Sequence, residues 1–501
     1  MTRKIQKIII LGGGSAGWMT AAALGKILKK SFCEVQLIES QEIGTVGVGE
    51  ATIPQLMVYN DLIGLDENEF IRETKGSFKL GIQFTDWDKI GNKYFHAFGE
   101  LGKNMEGVQF YQYWLKMRNL GKADYLDDYS LSSTACNENR FMRSIDAGNS
   151  PLSNIAYAFH FDAGLYAKYL RKLAEGWGVT RTEGKVESVQ QHENGNIKSL
   201  TMQNGDVHSA DFFIDCSGFK GLLIKETLQS EFVSFKQWLP CDRAVTVASE
   251  TDGKPWPFTR AAAQKAGWQW RIPLQHRTGN GHVYCSDYMS DSEAKEILLS
   301  NLDAPAIGEP RLIKFRTGHC KELWKNNCLA IGLSGGFIEP MESTALHLIQ
   351  VGISKLFSFF PHMEPSPADI EEYNKQMTFE FEAIRDFLVA HYHVSERDDS
   401  DFWKYVRTMD IPESLSQKLE QFKENGRVFR HNNELFNDVS WFEVLYGQGM
   451  RPQGYHALVD VFPEDDLEKR LASIKNVIRR SADYMPEHFR YINEQINASD
   501  K

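Results

Sequence analysis

Residues 7–39 read KIIILGGGSAGWMTAAALGKILKKSFCEVQLIE, and this stretch decides the fold. The β-branched run at Lys7 to Leu11 predicts a strand that stops at Gly12-Gly13-Gly14. Trp18 to Lys29 carries helical spacing, and Glu34 to Glu39 predicts a second strand. Gly12-x-Gly14-x-x-Gly17 therefore lies between a strand and a helix, the context in which such glycines cradle a dinucleotide. Gly12 permits the tight turn, Gly14 lets backbone approach a pyrophosphate, and Gly17 lets helix and strand pack closely. Ser15 and Ala16 open the helix, whose N–H groups and dipole favour an anion. Glu39 closes the second strand, 22 positions after Gly17, where an acid accepts hydrogen bonds from ribose hydroxyls. The fingerprint does not distinguish FAD from NAD.

A second glycine cluster, GTVGVGEAT at 44–52, follows at once. Its bare backbone suits a path along a flat ring, which makes Gly49, Ala51 and Thr52 cofactor candidates; an irregular surface loop is the other reading. DFFIDCSG at 211–218 reads either as a late strand returning to the dinucleotide or as a plain core strand. Further strands are predicted at 185–189, 197–202, 242–250, 281–286 and 328–333. From Thr344 the texture turns helical, over 344–358, 366–391, 412–424 and 466–495. The expected class is α/β, with a Rossmann-like core and an interleaved second part.

Composition sets outer limits. The chain has 501 residues, and its net charge of −11 argues against a nucleic-acid surface or an anionic-membrane partner. Seven scattered cysteines without a C-x-x-C pair fit free thiols in a cytoplasmic protein. The uncharged stretch Ile8 to Gly25 invites a signal-peptide reading, but five glycines interrupt it and already have the account above. Aromatic residues reach 12%, which means large cores or a pocket for a flat ligand. His391 and His393 stand two apart, wrong for a helical metal pair, so no metal is expected. His347, inside a predicted helix, reads as a satisfied core histidine.

GWQWRIP at 267–273 spells GWxWxIP and, together with the Gly12–Gly17 turn, resembles the flavin-dependent halogenases of the tryptophan halogenase family. GVGEATIP at 47–54, IDCSGF at 214–219, GNG at 279–281 and CLAIGLSGGFIEPMESTALHLI at 328–349 agree with it. The resemblance runs to about residue 410. It implies that the Rossmann-like core is FAD-binding, of the glutathione-reductase type, and that the interleaved second part binds substrate. The same resemblance implies that residues 1–358 carry the FAD-binding module with its substrate and tunnel segments, and 359–501 a helix-rich cover over the substrate. It also implies reduced FAD, supplied by a separate flavin reductase, that reacts with O₂ to a flavin hydroperoxide. Chloride or bromide then yields hypohalous acid, which travels a tunnel to a lysine beside an indole-like or other electron-rich aromatic substrate.

Residue by residue, the resemblance implies Lys79 and Glu342 as the catalytic pair, and the backbone amides of Thr344 and Ala345 as the halide site. It implies Leu333 and Leu346 beside the flavin ring and Val186 at the adenine. His96, Phe98, Trp268 and Trp270 fall at substrate and tunnel positions. A lysine ammonium donates hydrogen bonds to hypohalous acid, whereas a neutral amine forms a haloamine; burial favours the neutral form. A carboxylate at Glu342 stabilises a cationic ring and removes its proton. Each position also has a plain reading: a solvated lysine, a helix first-turn acid, same-face tryptophans of a strand, a core phenylalanine. The rival functions are an aromatic monooxygenase and a non-catalytic flavin-binding protein. Trp441-Phe442-Glu443 and Tyr446-Gly447-Gln448 are candidates for holding the amino-acid end of free tryptophan, and homodimer assembly is left open.

Overall fold

The computed structural model describes residues 4–28, 30–40, 42, 49–362 and 364–497. The chain divides into two compact units, each built from three segments. Met1–Gly76, Phe161–Lys236 and Lys314–Glu382 form the first; Ser77–His160, Gln237–Ile313 and Ala383–Lys501 form the second.

In the first unit a six-stranded sheet runs in the order Trp324–Lys325, Cys328–Ala330, Phe212–Asp215, Lys7–Leu11, Glu34–Glu39, Thr180–Glu183. Lys7–Leu11 is central and pairs in parallel with Phe212–Asp215 on one side and Glu34–Glu39 on the other. Strands covered on both faces need apolar residues at successive positions, which is why KIIIL, FFID and CLA do not alternate. The helix Ser15–Ile27 follows the central strand and packs against the helix Ala163–Gly176. Asp215, wholly buried, ends its strand by accepting the amides of Ser217, Leu223 and Ile224 at 2.8–2.9 Å. The chain after it is thereby folded back, and the Cys216 carbonyl comes against Gly12.

The second unit is built on a seven-stranded sheet. Arg243–Ser249, Thr278–Tyr284, Gly267–Pro273, Thr259–Gln264, Gly81–Thr85 and Lys93–Ala97 are successive neighbours in it. Trp270 lies opposite Gly281, the last residue of the GNG motif, and its ring occupies the space where a Cβ at Gly281 would stand. Ser77–Lys79 pairs antiparallel with the strand that begins at Ala158, Ser77 opposite His160 and Lys79 opposite Ala158. The helix Asp438–Gly447 packs on Lys93–Ala97, where Gly447 admits the Tyr94 ring.

The helices Ala345–Ser358, Pro367–His393 and Glu413–Asn425 form within two residues of the predicted ends. The helix expected over 466–495 does not form as one piece. Glu464–Tyr484 ends at Met485, which is extended (φ −71°, ψ 135°), and a short helix restarts at His488. Pro486 is the cause, because a proline ring clashes with helical backbone at the residue before it. The break lets His488 enter the core: its Nε2 accepts the Phe78 amide at 3.1 Å, and its Nδ1 donates to the Pro255 carbonyl at 2.8 Å. Among the described residues no helix is long and apolar enough to cross a membrane, and no disulfide joins the seven buried cysteines.

Candidate functional site

The glycine turn of the first unit has no room for side chains. Gly12 has φ +116°, and a Cβ there would stand 2.2 Å from the Cys216 carbonyl oxygen. A Cβ on Gly17 would lie 1.8 Å from the Gly12 carbonyl oxygen. The helix that follows has Gly14 as its N-cap, with no side-chain cap and no acid in its first turn. Its first N–H groups are left for a ligand. The Glu39 carboxylate lies over the bare Cα of Gly13 and accepts from Arg181 Nε at 2.5 Å and from Trp18 Nε1 at 3.3 Å. Each oxygen has a further lone-pair direction, so the acid can also accept a ribose hydroxyl. Gly12, Gly14, Ser15, Ala16, Gly17 and Glu39 are thus brought together, and they fit the pyrophosphate and ribose of a dinucleotide. Gly49, Ala51 and Thr52 are described, with Ala51 and Thr52 buried; residues 44–48 of the same cluster lie outside the described residues. Val186 is half-buried at the start of the strand Val186–Gln191.

The same unit places a second turn beside the first. Gly332, with φ +76°, sits where a Cβ would stand 2.7 Å from that of Ala16 and 3.4 Å from Ile349. The Gly332–Ser334 turn therefore lies against both the first helix and Ala345–Ser358. Leu333 and Ala345 line a small apolar cavity of about 40 Å³ with Gly332, Leu348, Ile349 and Phe381. Leu346 is buried as well.

Glu342 does not occupy the first turn of the helix. It ends a separate 3₁₀ turn, Pro340–Glu342, and Ser343 follows in the left-handed region (φ +60°). A non-glycine residue there marks a turn held by its surroundings. The result is a nearly fully buried carboxyl, Glu342 being 1% exposed. Thr344 then caps Ala345–Ser358 with its backbone alone, and the first turn contains no acid. His347 departs from the sequence reading. It is buried, but neither ring nitrogen has a partner, so it is not a satisfied core histidine. Burial, followed by the charge of Lys355, lowers its pKa to about 4.

The second unit holds the lysine. Lys79 is 0% exposed, with its ammonium 5.2 Å from the centroid of the Phe98 ring, a favourable cation–π distance. Its surroundings are fixed by a hydrogen-bonded group on the same ribbon. Ser77 Oγ donates to the Pro273 carbonyl at 2.8 Å, so it accepts from His160 Nδ1 at 3.2 Å, leaving His160 Nε2 to accept from Thr259 Oγ1 at 2.9 Å. Burial first, then the charge of Lys79, holds His160 well below the usual histidine range. The neighbouring imidazole therefore stays neutral and adds no positive charge beside the lysine. His96 packs in an aromatic cluster, its ring 5.6 Å from Phe387 and 6.0 Å from Phe436. Trp268 and Trp270 lie 5.9 Å apart on one face of their strand, as their alternation predicts. Sequence reading did not find Phe387 and Phe436, stacked at 3.7 Å, because nothing in their spacing links them to His96.

These features define a flavoprotein-type dinucleotide fold with an anion-receptive helix start in one unit and a buried lysine in the other. The tryptophan halogenase family profile matches residues 7–464, beyond the point where the sequence blocks thin out, and the chain belongs to that family. A flavin-dependent halogenase from Xanthomonas campestris superposes with a TM-score of 0.95 at 42% identity, over 98% of each chain. A second one, from Brevundimonas sp. BAL3, gives 0.94 at 39%, over 98% of this chain and 99% of that one. The tryptophan 6-halogenase of Streptomyces toxytricini is 34% identical over 98% of each sequence. The protein is an FADH₂-dependent halogenating oxidoreductase, and neither the monooxygenase nor the non-catalytic reading is favoured.

Proposed function

We propose that this enzyme halogenates an indole-like or other electron-rich aromatic compound that lacks a free amino-acid end. In this reading Lys79 and Glu342 are its catalytic residues, and the Thr344 and Ala345 amides hold chloride or bromide. Reduced FAD, from a separate cytoplasmic reductase, supplies the electrons by which O₂ and halide become water and hypohalous acid. The observation that carries the reading is Lys79: an ammonium fully buried against Phe98, on a strand paired with one whose histidine is held neutral. Lysine is among the residues least often fully buried, and ionisable groups held in such surroundings cluster at functional sites. Lys79 donates to hypohalous acid and polarises its halogen, and Glu342 takes the proton displaced from the ring. Phe98 and His96 line the substrate cavity, while Trp268 and Trp270 border the tunnel. Gly49, Ala51, Thr52, Leu333 and Leu346 adjoin the flavin, and Val186 the adenine.

The substrate class rests on the C-terminal candidates. Glu443 is buried and accepts the Ala97 amide at 3.0 Å, and Gln448 donates to the His391 carbonyl at 2.9 Å. Trp441 packs edge-on to Phe387, and Phe442 stacks on Tyr111 at 4.3 Å. These side chains are engaged in the interior of the second unit, so they are poorly placed to clamp an ammonium and a carboxylate. The test supplies FAD, a reductase, O₂ and either halide, with indole, phenols and free tryptophan, and reads products by mass spectrometry. Halogenated indole in clear excess over halogenated tryptophan is expected. Hydroxylation without halogen isotope patterns, or efficient turnover of free tryptophan, overturns the reading at the level of reaction or of substrate respectively. Lys79→Ala is expected to abolish halogenation while FAD binding persists.

A further inference from the structure

At the start of the helix Ala345–Ser358, two buried polar side chains lack hydrogen-bond partners. Thr344 is 0% exposed with Oγ1 unpaired, and His347 is 8% exposed with both Nδ1 and Nε2 unpaired. Buried polar atoms are nearly always satisfied, and clustered exceptions mark a place that a ligand completes. The two residues are three apart, which puts them on one face of the helix. Helical side chains lean toward the N-terminus, the direction in which the first turn lies from His347. The third helical position is also the one from which a side chain ordinarily reaches back to cap the free N–H groups. Here His347 holds that position and makes no such bond.

We infer that His347 is a further halide-contacting residue, its N–H acting with the Thr344 hydroxyl and the free amides of the helix start. The inference rests on the proposed halide site at Thr344 and Ala345 and extends it to a side chain. The donor set decides the ligand chemistry. A neutral imidazole donates one N–H, a hydroxyl one O–H, and the uncapped amides their N–H groups. Thr344 and His347 are both buried, so the enclosed set suits a small monoanion rather than a bulky phosphate.

The experiment uses full-length protein loaded with FAD. Crystals soaked in sodium bromide are examined by bromine anomalous scattering, and chloride binding is followed in solution by ³⁵Cl NMR line broadening with bromide as competitor. A bromide within hydrogen-bond distance of both the Thr344–Ala345 amides and a His347 nitrogen is the expected result. His347→Phe, which keeps ring volume without a donor, is expected to weaken halide binding about tenfold and raise the halide KM alike, with kcat within twofold. His347→Gln, which restores an N–H, recovers most of the affinity. Bromide at the amides but out of reach of His347, or unchanged halide binding in folded His347→Phe, overturns the role of His347 and leaves the halide site standing. No bromide at the helix start overturns both.

Discussion

The helices Ser15–Ile27 and Ala345–Ser358 of the first unit both begin without a side-chain cap, and they do so by opposite means. At Ser15–Ile27 the side chains are missing: Gly14 caps, Gly12 and Gly17 leave no space for a Cβ, and the bare amides face whatever fills the turn. At Ala345–Ser358 the side chains are present, but Thr344 and His347 make no hydrogen bond. On the proposed reading, the first arrangement suits a large, extended polyanion because its helix start exposes backbone alone. On the same reading, the second offers a point-like anion donors from three chemical groups. Glycine spacing therefore encodes the first site, and buried unpaired polarity encodes the second.

The largest expected effect comes from breaking the first helix start. Gly17→Ala sets a methyl 1.8 Å from the Gly12 carbonyl oxygen, which is backbone and cannot rotate away. Strand and helix must separate, so FAD affinity is expected to fall at least about a hundredfold, or about 3 kcal/mol. Flavin fluorescence quenching during titration measures it. Retention of affinity within fivefold would mean that the turn does not hold the dinucleotide.

The second start differs in containing a titratable group, and this gives the next effect. The pKa of His347 is lowered in the folded protein to about 4 from 6.5. Between those values the unfolded chain binds more protons, so stability from this residue is complete above pH 6.5 and is lost as pH falls through 4. The contribution is at most about 3 kcal/mol at the acid end. His347→Phe is expected to flatten the decline in stability between pH 6.5 and 4, read by chemical denaturation at several pH values. Buried His488, lowered to about 3, and His282, lowered to about 4, keep part of the decline in the variant. No such difference is expected from substitutions in the glycine turn.

Glu39 tests how much of the first site is side chain at all. Glu39→Gln removes the charge that Arg181 meets at 2.5 Å, and leaves an amide where the carboxylate lay over Gly13. A loss of about 1 kcal/mol in FAD binding, near fivefold, is expected, since charge-assisted bonds exceed neutral ones by about that much. A loss as large as that of Gly17→Ala would shift the weight of the site from backbone to carboxylate.

The asymmetry between the two starts also explains what could be read from sequence. The strand, turn, helix, strand and acid over 7–39 were legible because each glycine answers a steric demand within a few residues of itself. The strands of the GWxWxIP region were legible through alternation, and Gly281 finds its reason in the Trp270 ring lying over it. The motif around 339–346 places Glu342 just ahead of a helix, but it could not show that Ser343 is left-handed or that Glu342 ends a separate 3₁₀ turn. Those features depend on tertiary packing. The partnerless state of His347 is invisible for the same reason: sequence shows a histidine on a helix, and only the surrounding atoms show that none of them bonds to it. The break at Met485 has a local cause in Pro486, which a long helical pattern on both sides masks.

The smallest predicted effect separates function from stability most cleanly. Thr344→Val keeps the shape of a wholly buried residue and removes a hydroxyl that has no protein partner. If Thr344 only packs, the change relieves an unsatisfied group and raises stability by up to about 1 kcal/mol, with no cost to catalysis. If the hydroxyl completes its bonding with halide, the same stabilisation accompanies a rise of about threefold in halide KM, with kcat nearly unchanged. Denaturant midpoints without halide and steady-state kinetics across bromide concentrations distinguish the two. The expected outcome is a more stable protein that holds halide less well. A glycine-made anion site cannot show this trade, because it has no side chain to exchange.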